Sequence, residues 1–328
     1  MADGHPFGLG LGFTGAVMGC YNFHGTVNEN YSIKNYSPMN ITLALGGGGA
    51  KGNSHLGVIR RLQKEGIKIE AVAGTSFGGI VAVFYALGYA PDEIEEMFAT
   101  LDQRRLYGHD MDDGPSFLGL AGATKWLKEV IGDRTFGDLR LPCILTAADL
   151  QSGQEVLLSE GPLVDAVLAT IAIPGVFPAK WIGNLELVDG GTLDPVPVAP
   201  ARSLMPKLPV IAVVLTRPMG LPAQTWNIPL PEYVPHLLVE RLSKLRYTQA
   251  LDVYLRALDV VTRAITEYRL QVDKPEIILR PRVTEIDILE RVDVRVVARR
   301  GDEVVEENLS EIKELFAWQN RLRRAIGV

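Results

Sequence analysis

The sequence of 328 residues is long enough for one large α/β domain or two small ones. Apolar residues make up 47% of it, enough for a sizeable core, and the formal net charge is -6. This negative charge argues against nucleic acid as the main partner, because phosphate backbones are bound by clustered positive charge. The two cysteines, Cys20 and Cys143, stand in segments of different character and predict no disulfide framework. We therefore expect a reducing, cytoplasmic setting, with peripheral contact to a membrane as a further expectation.

Residues 1–38 are predicted to be an N-terminal extension without stable structure. Residues 6–23 carry no charge but contain repeated glycines, each of which lowers helix stability by about 1 kcal/mol. No Lys or Arg precedes them, so the segment lacks the basic start of a secretory signal. We expect residues 39–203 to form the core that carries all the motifs, and residues 204–328 to complete the fold.

Short apolar runs and amphipathic segments alternate along the chain. The predicted strands cover 41–45, 67–73, 141–148, 155–158, 185–188, 209–215 and 276–279. The predicted helices cover 55–65, 77–87 and 163–173, then one long helix or a broken pair within 236–274, and a last helix from about 302 to 325. Residues 104–122 are predicted to be a long loop. This order predicts an α/β fold with a mostly parallel central sheet, helices on both faces and a helical C-terminal part.

A glycine loop follows the first predicted strand and opens a helix, with the sequence Gly47-Gly48-Gly49-Ala50-Lys51-Gly52. It fits the dinucleotide fingerprint G-x-G-x-x-G, and Glu70 ends the next strand near the place of a ribose-binding acid. The same loop can hold a phosphate or a developing oxyanion, because glycines let backbone N–H groups converge at a helix start. A tight turn without any ligand is the third interpretation.

A serine stands between the second strand and its helix in Gly74-Thr75-Ser76-Phe77-Gly78, which fits the nucleophile elbow G-x-S-x-G. A sharp turn there would expose the serine hydroxyl, and the amide of Phe77 would be free to stabilise negative charge. The alternative is an ordinary serine N-cap. The flanking strand, helix and glycines favour a catalytic serine.

A serine nucleophile needs a base, and the histidines are His5, His24, His55, His109 and His236. Only His236 could complete the chain order Ser, Asp, His, and it starts the long predicted helix without a turn motif. Asp189, followed by Gly190 and Gly191, comes directly after an apolar strand and is the better candidate, with a plain Asp-Gly turn as the alternative. Asp149 and Asp194 are rivals, and Asp149 stands in a turn that looks structural.

Together these motifs resemble the patatin-like phospholipases, most closely bacterial members related to neuropathy target esterase. The flanking text is similar too, in 45–57, 161–167, 173–178 and 188–197, and the strong match covers about residues 41–203. The resemblance implies a Ser76–Asp189 dyad, an oxyanion hole made by the amides of Gly47, Gly48 and Gly49, and no metal or cofactor. Lys51 takes the place of an Arg or Lys usual in the family.

The resemblance further implies hydrolysis of lipid acyl esters, by transfer of the acyl group to Ser76. Lys51 could reach a lipid phosphate, but a surface position is expected for it, and His55 is expected to pack or cap. Transient contact with a membrane surface would need an apolar rim, for which there are four candidates with buried packing as the alternative: Trp226, Leu230, Tyr233 and Leu237. Two other functions stay open, a dinucleotide-dependent oxidoreductase using residues 47–52 and a non-catalytic lipid-binding protein.

Overall fold

The computed structural model describes residues 39–110, 114–223 and 246–325. The predicted extension 1–38, the four rim candidates and His236 lie outside these ranges, so the predictions made for them stay predictions. The same holds for the division of the chain at residues 203 and 204.

One sheet organises the described residues. Its strands are β1 (Asn40–Leu45), β2 (Lys68–Thr75), β3 (Cys143–Asp149), β4 (Glu155–Leu158), β5 (Lys180–Ile182), β6 (Leu185–Asp189), β7 (Val210–Val213) and β8 (Ile277–Leu279). The strand order is β5-β6-β3-β2-β1-β7-β8, with β4 also paired to β3. Strands β3, β2, β1, β7 and β8 run parallel, whereas β4, β5 and β6 pair antiparallel. The predicted mostly parallel sheet is therefore confirmed.

Helices cover both faces of the sheet. They are α1 (Ser54–Lys64), α2 (Phe77–Ala86), α3 (Pro91–Thr100), α4 (Ala121–Ile131), α5 (Leu163–Thr170), α6 (Val198–Leu204), α7 (Arg246–Asp273), α8 (Val294–Glu307) and α9 (Leu309–Ala325). Strand β1 is buried throughout, with Leu43 and Leu45 in the larger apolar core and Ala44 in a second core on the other face. Burial on both faces is why the parallel strands are continuous apolar runs.

Several predicted element boundaries are wrong. The sequence analysis predicts no helix over α3, in which Pro91 is the first residue and Glu93 accepts a hydrogen bond from the Ala90 amide at 2.7 Å. Helix α4 begins inside the predicted loop 104–122. The last predicted helix is two helices, because α8 ends at Asn308 and α9 begins at the next residue. Asp293 caps the start of α8 by accepting a hydrogen bond from the Arg295 amide at 3.0 Å.

The register of β3 positions the candidate site. Thr146 pairs with Thr75 of β2, and the next residue, Ala147, pairs with Asp189 of β6. Two consecutive residues of β3 therefore fix the positions of Thr75, which precedes Ser76, and of Asp189, whose carboxylate is predicted to act on Ser76. Within the described ranges, no helix combines the length and apolar character needed to cross a bilayer.

Candidate active site

Ser76 occupies a sharp turn between β2 and α2. Its backbone has φ 54 and ψ -128, in the left-handed region that residues with a Cβ rarely adopt. Such a conformation costs about 1–3 kcal/mol and persists only where the surroundings enforce it. Here the Ser76 amide donates to the Thr170 hydroxyl at 2.9 Å, and its carbonyl accepts from the Gly79 amide at 2.8 Å. The side chain therefore projects from a fixed turn, as the predicted elbow requires.

Two predicted glycines permit this turn through close backbone approach. A Cβ at Gly74 would lie 2.5 Å from the Gly78 carbonyl oxygen, and one at Gly78 would lie 2.3 Å from the carbonyl oxygen of Leu45. Phe77 begins α2, so its amide is one of the first-turn donors that have no acceptor within the helix. The positive end of this buried helix thus lies at the serine.

Asp189 ends β6 beside Ser76, close enough for the serine hydroxyl to lower the pKa of the carboxyl group. Its Oδ1 accepts a hydrogen bond from the Gly191 amide at 2.7 Å, and the residue is 6% exposed. Burial raises the pKa of Asp189 to about 6, while Ser76 and the Gly191 amide oppose that rise. A Cβ at Gly190 would lie 2.2 Å from the Thr146 hydroxyl oxygen, which explains why the residue after Asp189 is a glycine.

The glycine loop lies directly against the serine. A Cβ at Gly47 would come within 3.1 Å of the Ser76 Cβ, and Gly49 has a positive φ of 57. The Gly47 amide donates to the Pro195 carbonyl at 2.9 Å, whereas the amides of Gly48 and Gly49 have no hydrogen-bond acceptor among the residues that the structure describes. Of the three amides predicted to hold an oxyanion, that of Gly47 thus already donates to a backbone carbonyl.

Residues 194 and 195 connect the three motifs, and the sequence analysis did not identify this role. The Asp194 carbonyl accepts from the Thr75 hydroxyl at 2.9 Å, and the Asp194 amide donates to Gly190 at 2.8 Å. The neighbouring Pro195 carbonyl holds Gly47. The Asp194 carboxylate is fully buried, and Arg269 of α7 reaches it at 2.7 Å. A helix from the C-terminal part thereby braces the turn behind both candidate catalytic residues.

The rival residues have other partners. Asp149 accepts from the Ser152 hydroxyl at 2.6 Å and from the Glu186 amide at 3.1 Å, and hydrogen bonds with Ser152 are the main reason its pKa is lowered. It therefore forms the structural turn that was predicted. His55 is fully buried behind the glycine loop, where its Nε2 lies 2.8 Å from the Gly46 carbonyl. Two cavities open beside Ser76, an apolar pocket and a second cavity that Lys51 and Asp189 also line, and His109, the other described histidine, lines neither of them.

The expected surface position of Lys51 is wrong. Its side chain is 4% exposed, because the loop turns it inward beneath α7 and the segment that follows β7. Gly52 lies against Phe77, where a Cβ would come within 2.3 Å of the ring. The first helical turn thus packs on the elbow instead of facing solvent, a contact that helical spacing alone does not reveal.

An apolar pocket opens beside Ser76, and it was not predicted. It encloses about 1000 Å³ including its mouth. Its walls are mostly aliphatic and aromatic and come from α2, α3, α4 and the segment before α8, for example Phe77, Ile80, Phe98, Ala123, Trp126, Phe177 and Ile288. An apolar cavity beside a serine at a sharp strand–helix turn is typical of a site for an apolar group.

The dinucleotide interpretation is disfavoured by the partners of two residues. The Glu70 carboxylate accepts from Asn40 and pairs with Lys68, both at 2.8 Å, so it has local partners. The Ile288 carbonyl accepts from the Ala50 amide at 2.8 Å and covers the loop on which a pyrophosphate would have to sit. The described residues contain no group of three or more His, Cys, Asp or Glu side chains placed to hold a metal ion.

Comparison with known proteins identifies one family and several relatives. The family model for the patatin-like phospholipases matches residues 43–202. An uncharacterized NTE family protein of Mycobacterium tuberculosis is 34% identical over 223 residues, which are 67% of this chain and 59% of that protein. The uncharacterized protein YqhO of Bacillus subtilis is 32% identical over 213 residues, covering 54% of this chain and 72% of YqhO.

Among solved structures, VipD from Legionella pneumophila is similar at a TM-score of 0.47 and 12% identity, over 84% of this chain and 66% of VipD. The family match covers all three motifs, from the glycine loop to Asp189. The chain belongs to the patatin-like phospholipase family, in the part related to the NTE family proteins.

Proposed function

We propose that the protein is a serine hydrolase of lipid acyl esters that uses Ser76 as nucleophile and Asp189 as base. The observation that carries this proposal is the proximity of the two side chains, at a strained turn that opens into the apolar pocket. A serine that served only as a helix cap would need neither a buried carboxylate partner nor a positive φ. Family membership supports the same chemistry.

The first half of the reaction forms an acyl-enzyme. Asp189 takes the proton of the Ser76 hydroxyl as the oxygen attacks the ester carbonyl, and the tetrahedral intermediate carries the negative charge on the former carbonyl oxygen. Collapse breaks the bond to the alcohol, which leaves with the proton held by Asp189. In the second half, Asp189 deprotonates a water molecule, whose oxygen attacks the acyl-enzyme carbonyl; the bond to Ser76 Oγ breaks, Asp189 returns the proton to Ser76 Oγ, and the fatty acid leaves.

The oxyanion is held by the amides of Gly48 and Gly49, with the start of α2 adding its positive end. Gly47 is a positioning residue in this scheme, because its amide donates to Pro195 and its Cα lies against Ser76. Pre-organised donors of this kind account for about 100- to 1000-fold in rate each. The acyl chain occupies the apolar pocket, whose walls begin at Phe77 and Ile80.

Loss of either dyad residue tests the proposal. Ser76→Ala removes the nucleophile and should abolish labelling by a fluorophosphonate probe together with ester hydrolysis. Asp189→Asn keeps the shape but cannot take a proton, so we expect the labelling rate to fall by about 100- to 10,000-fold. Asp149→Asn is the matched control and should label at close to the wild-type rate if it stays folded. Wild-type labelling of the Ser76→Ala protein would eliminate the proposed nucleophile.

The pH dependence follows from the raised pKa of Asp189, which lies at about 6. Only the carboxylate form accepts the serine proton, so the labelling rate should rise with pH through that value and then level off. At pH 5 about one tenth of the protein has an ionised Asp189, and the rate should be about one tenth of the plateau. A rate that stays flat between pH 5 and 8 would show that another group is the base.

The apolar pocket predicts a chain-length effect. Ala123 is 8% exposed and lines the pocket, so Ala123→Leu should fill space that a long acyl chain needs. We expect hydrolysis of a dodecanoyl nitrophenyl ester to fall at least about tenfold relative to the butanoyl ester, a change of about 1.4 kcal/mol. Ala121→Leu, in the same helix but not on the pocket, should leave this ratio unchanged. Equal losses for both esters would place the acyl chain elsewhere.

A further inference from the structure

The two cavities beside Ser76 share part of their walls. The second cavity encloses about 670 Å³ including its mouth, and charged side chains such as Lys51 and Asp259 line it. Four residues line both cavities and are called the junction below: Gly49, Ser76, Ile173 and Ile288. In the proposed reaction the ester carbonyl has to reach Ser76, so the atoms on either side of that carbonyl lie at the junction.

Two isoleucines supply most of the bulk at the junction. Gly49 has no side chain and Ser76 has a small one, so the space beside the serine is limited mainly by Ile173 and Ile288. Ile173 is 9% exposed and Ile288 is half-buried. Both side chains are branched at Cβ, which restricts rotation about χ1. The two walls of the junction are therefore stiff next to the reacting serine.

Ile288 packs directly on the glycine loop. Its carbonyl accepts a hydrogen bond from the Ala50 amide at 2.8 Å. A Cβ at Gly49 would lie 2.1 Å from that carbonyl oxygen and 2.5 Å from the Cγ2 atom of Ile288. The side chain of Ile288 thus lies beside the amide that we propose as an oxyanion donor. Moving Ile288 away from a bulky substrate would break its backbone contact with this loop.

The segment that carries Ile288 is anchored on both sides. Before it, Val283 is fully buried in the larger core, and Glu285 pairs with Arg300 of α8 at 2.9 Å. After it, Asp293 caps the start of α8. These contacts hold the backbone around Ile288 in place, so its side chain is a fixed wall of the junction. Ile288 also lies outside the residues 43–202 that match the family.

We infer that Ile288 is a specificity-determining residue, which excludes acyl groups that are branched at the carbon next to the ester carbonyl. This inference rests on the proposed hydrolase function, in which Ser76 attacks the carbonyl and the acyl chain enters the apolar pocket. A methyl branch at that carbon adds its volume at the junction, and a packed site accommodates extra volume only by strain. The substrates are therefore esters of acids without a branch at this carbon.

The test compares nitrophenyl octanoate with nitrophenyl 2-methyloctanoate, both dissolved below their aggregation limits. The ratio of the two kcat/KM values is divided by the ratio of the hydroxide-catalysed rates, which removes the intrinsic difference in reactivity. We expect this corrected preference of the wild type for the unbranched ester to be at least about tenfold. Ile288→Ala should reduce it at least about fivefold, because it frees space beside the serine. Ile288→Val, which removes one methyl group, should fall between them.

Leu289→Ala is the matched control, because Leu289 follows Ile288 in the chain and lines the apolar pocket but not the second cavity. It should keep the corrected preference of the wild type, whatever its effect on the overall rate. Thermal melting checks that each variant is folded. Turnover that depends on Ser76, with the same corrected preference in the wild type and in Ile288→Ala, would overturn this inference and keep the hydrolase.

A binding measurement decides the inference if the wild type turns over neither ester, which would refute the hydrolase. The Ser76→Ala protein is then titrated by calorimetry with methyl octanoate and methyl 2-methyloctanoate, with and without Ile288→Ala. Weaker binding of the branched ester, relieved by Ile288→Ala, would keep Ile288 as the residue that excludes the branch. Equal binding of the two esters to both proteins would overturn that role as well.

Discussion

The contact between the Ser76 hydroxyl and the Asp189 carboxylate is the interaction on which the candidate site depends. The two residues are far apart in sequence, and β3 brings them together by pairing Thr146 with Thr75 and Ala147 with Asp189. Each partner is held in an unfavourable state, Ser76 at a positive φ and Asp189 buried with a raised pKa. The surrounding packing must enforce both states, and together they place a carboxylate next to a serine hydroxyl at the wall of a cavity.

The residues that hold Ser76 and the glycine loop in place lie behind the candidate site. Asp194 and Pro195 accept hydrogen bonds from Thr75 and Gly47, so the elbow and the glycine loop share one support. Arg269 neutralises the buried Asp194 carboxylate, and it stands on α7, outside the residues 43–202 that match the family. Through this ion pair, α7 supports the candidate site from outside the region that matches the family.

Much of the fold and of the candidate site could be predicted from the sequence, because the signals for them are local. The elbow, the glycine loop and the Asp-Gly turn are local motifs whose backbone demands are visible in consecutive residues, and the parallel strands are continuous apolar runs. The inward turn of Lys51 could not be predicted, because its burial depends on Arg217 and Asp259, which lie more than 150 residues further along the chain. The occupied amide of Gly47 likewise depends on the distant Pro195.

The two cavities were also invisible in the sequence, since their walls come from many separate elements. Thr170, which accepts a hydrogen bond from the Ser76 amide, stands between the segments 161–167 and 173–178 that resemble the family, and this position was the available signal for its role. The cavities meet at Ser76 and differ in polarity. In the reaction that we propose, this division orients the substrate, because the ester then lies where its apolar chain and its polar group each meet a wall of matching polarity.

A crystal structure of the protein inactivated by an alkyl fluorophosphonate would test the dyad most directly, because the adduct mimics the tetrahedral intermediate. Our account predicts phosphorus bonded to Ser76 Oγ, the phosphoryl oxygen within hydrogen-bonding distance of the Gly48 and Gly49 amides, and the alkyl chain in the apolar pocket. An adduct on another residue, or a phosphoryl oxygen turned away from the glycine loop, would contradict it.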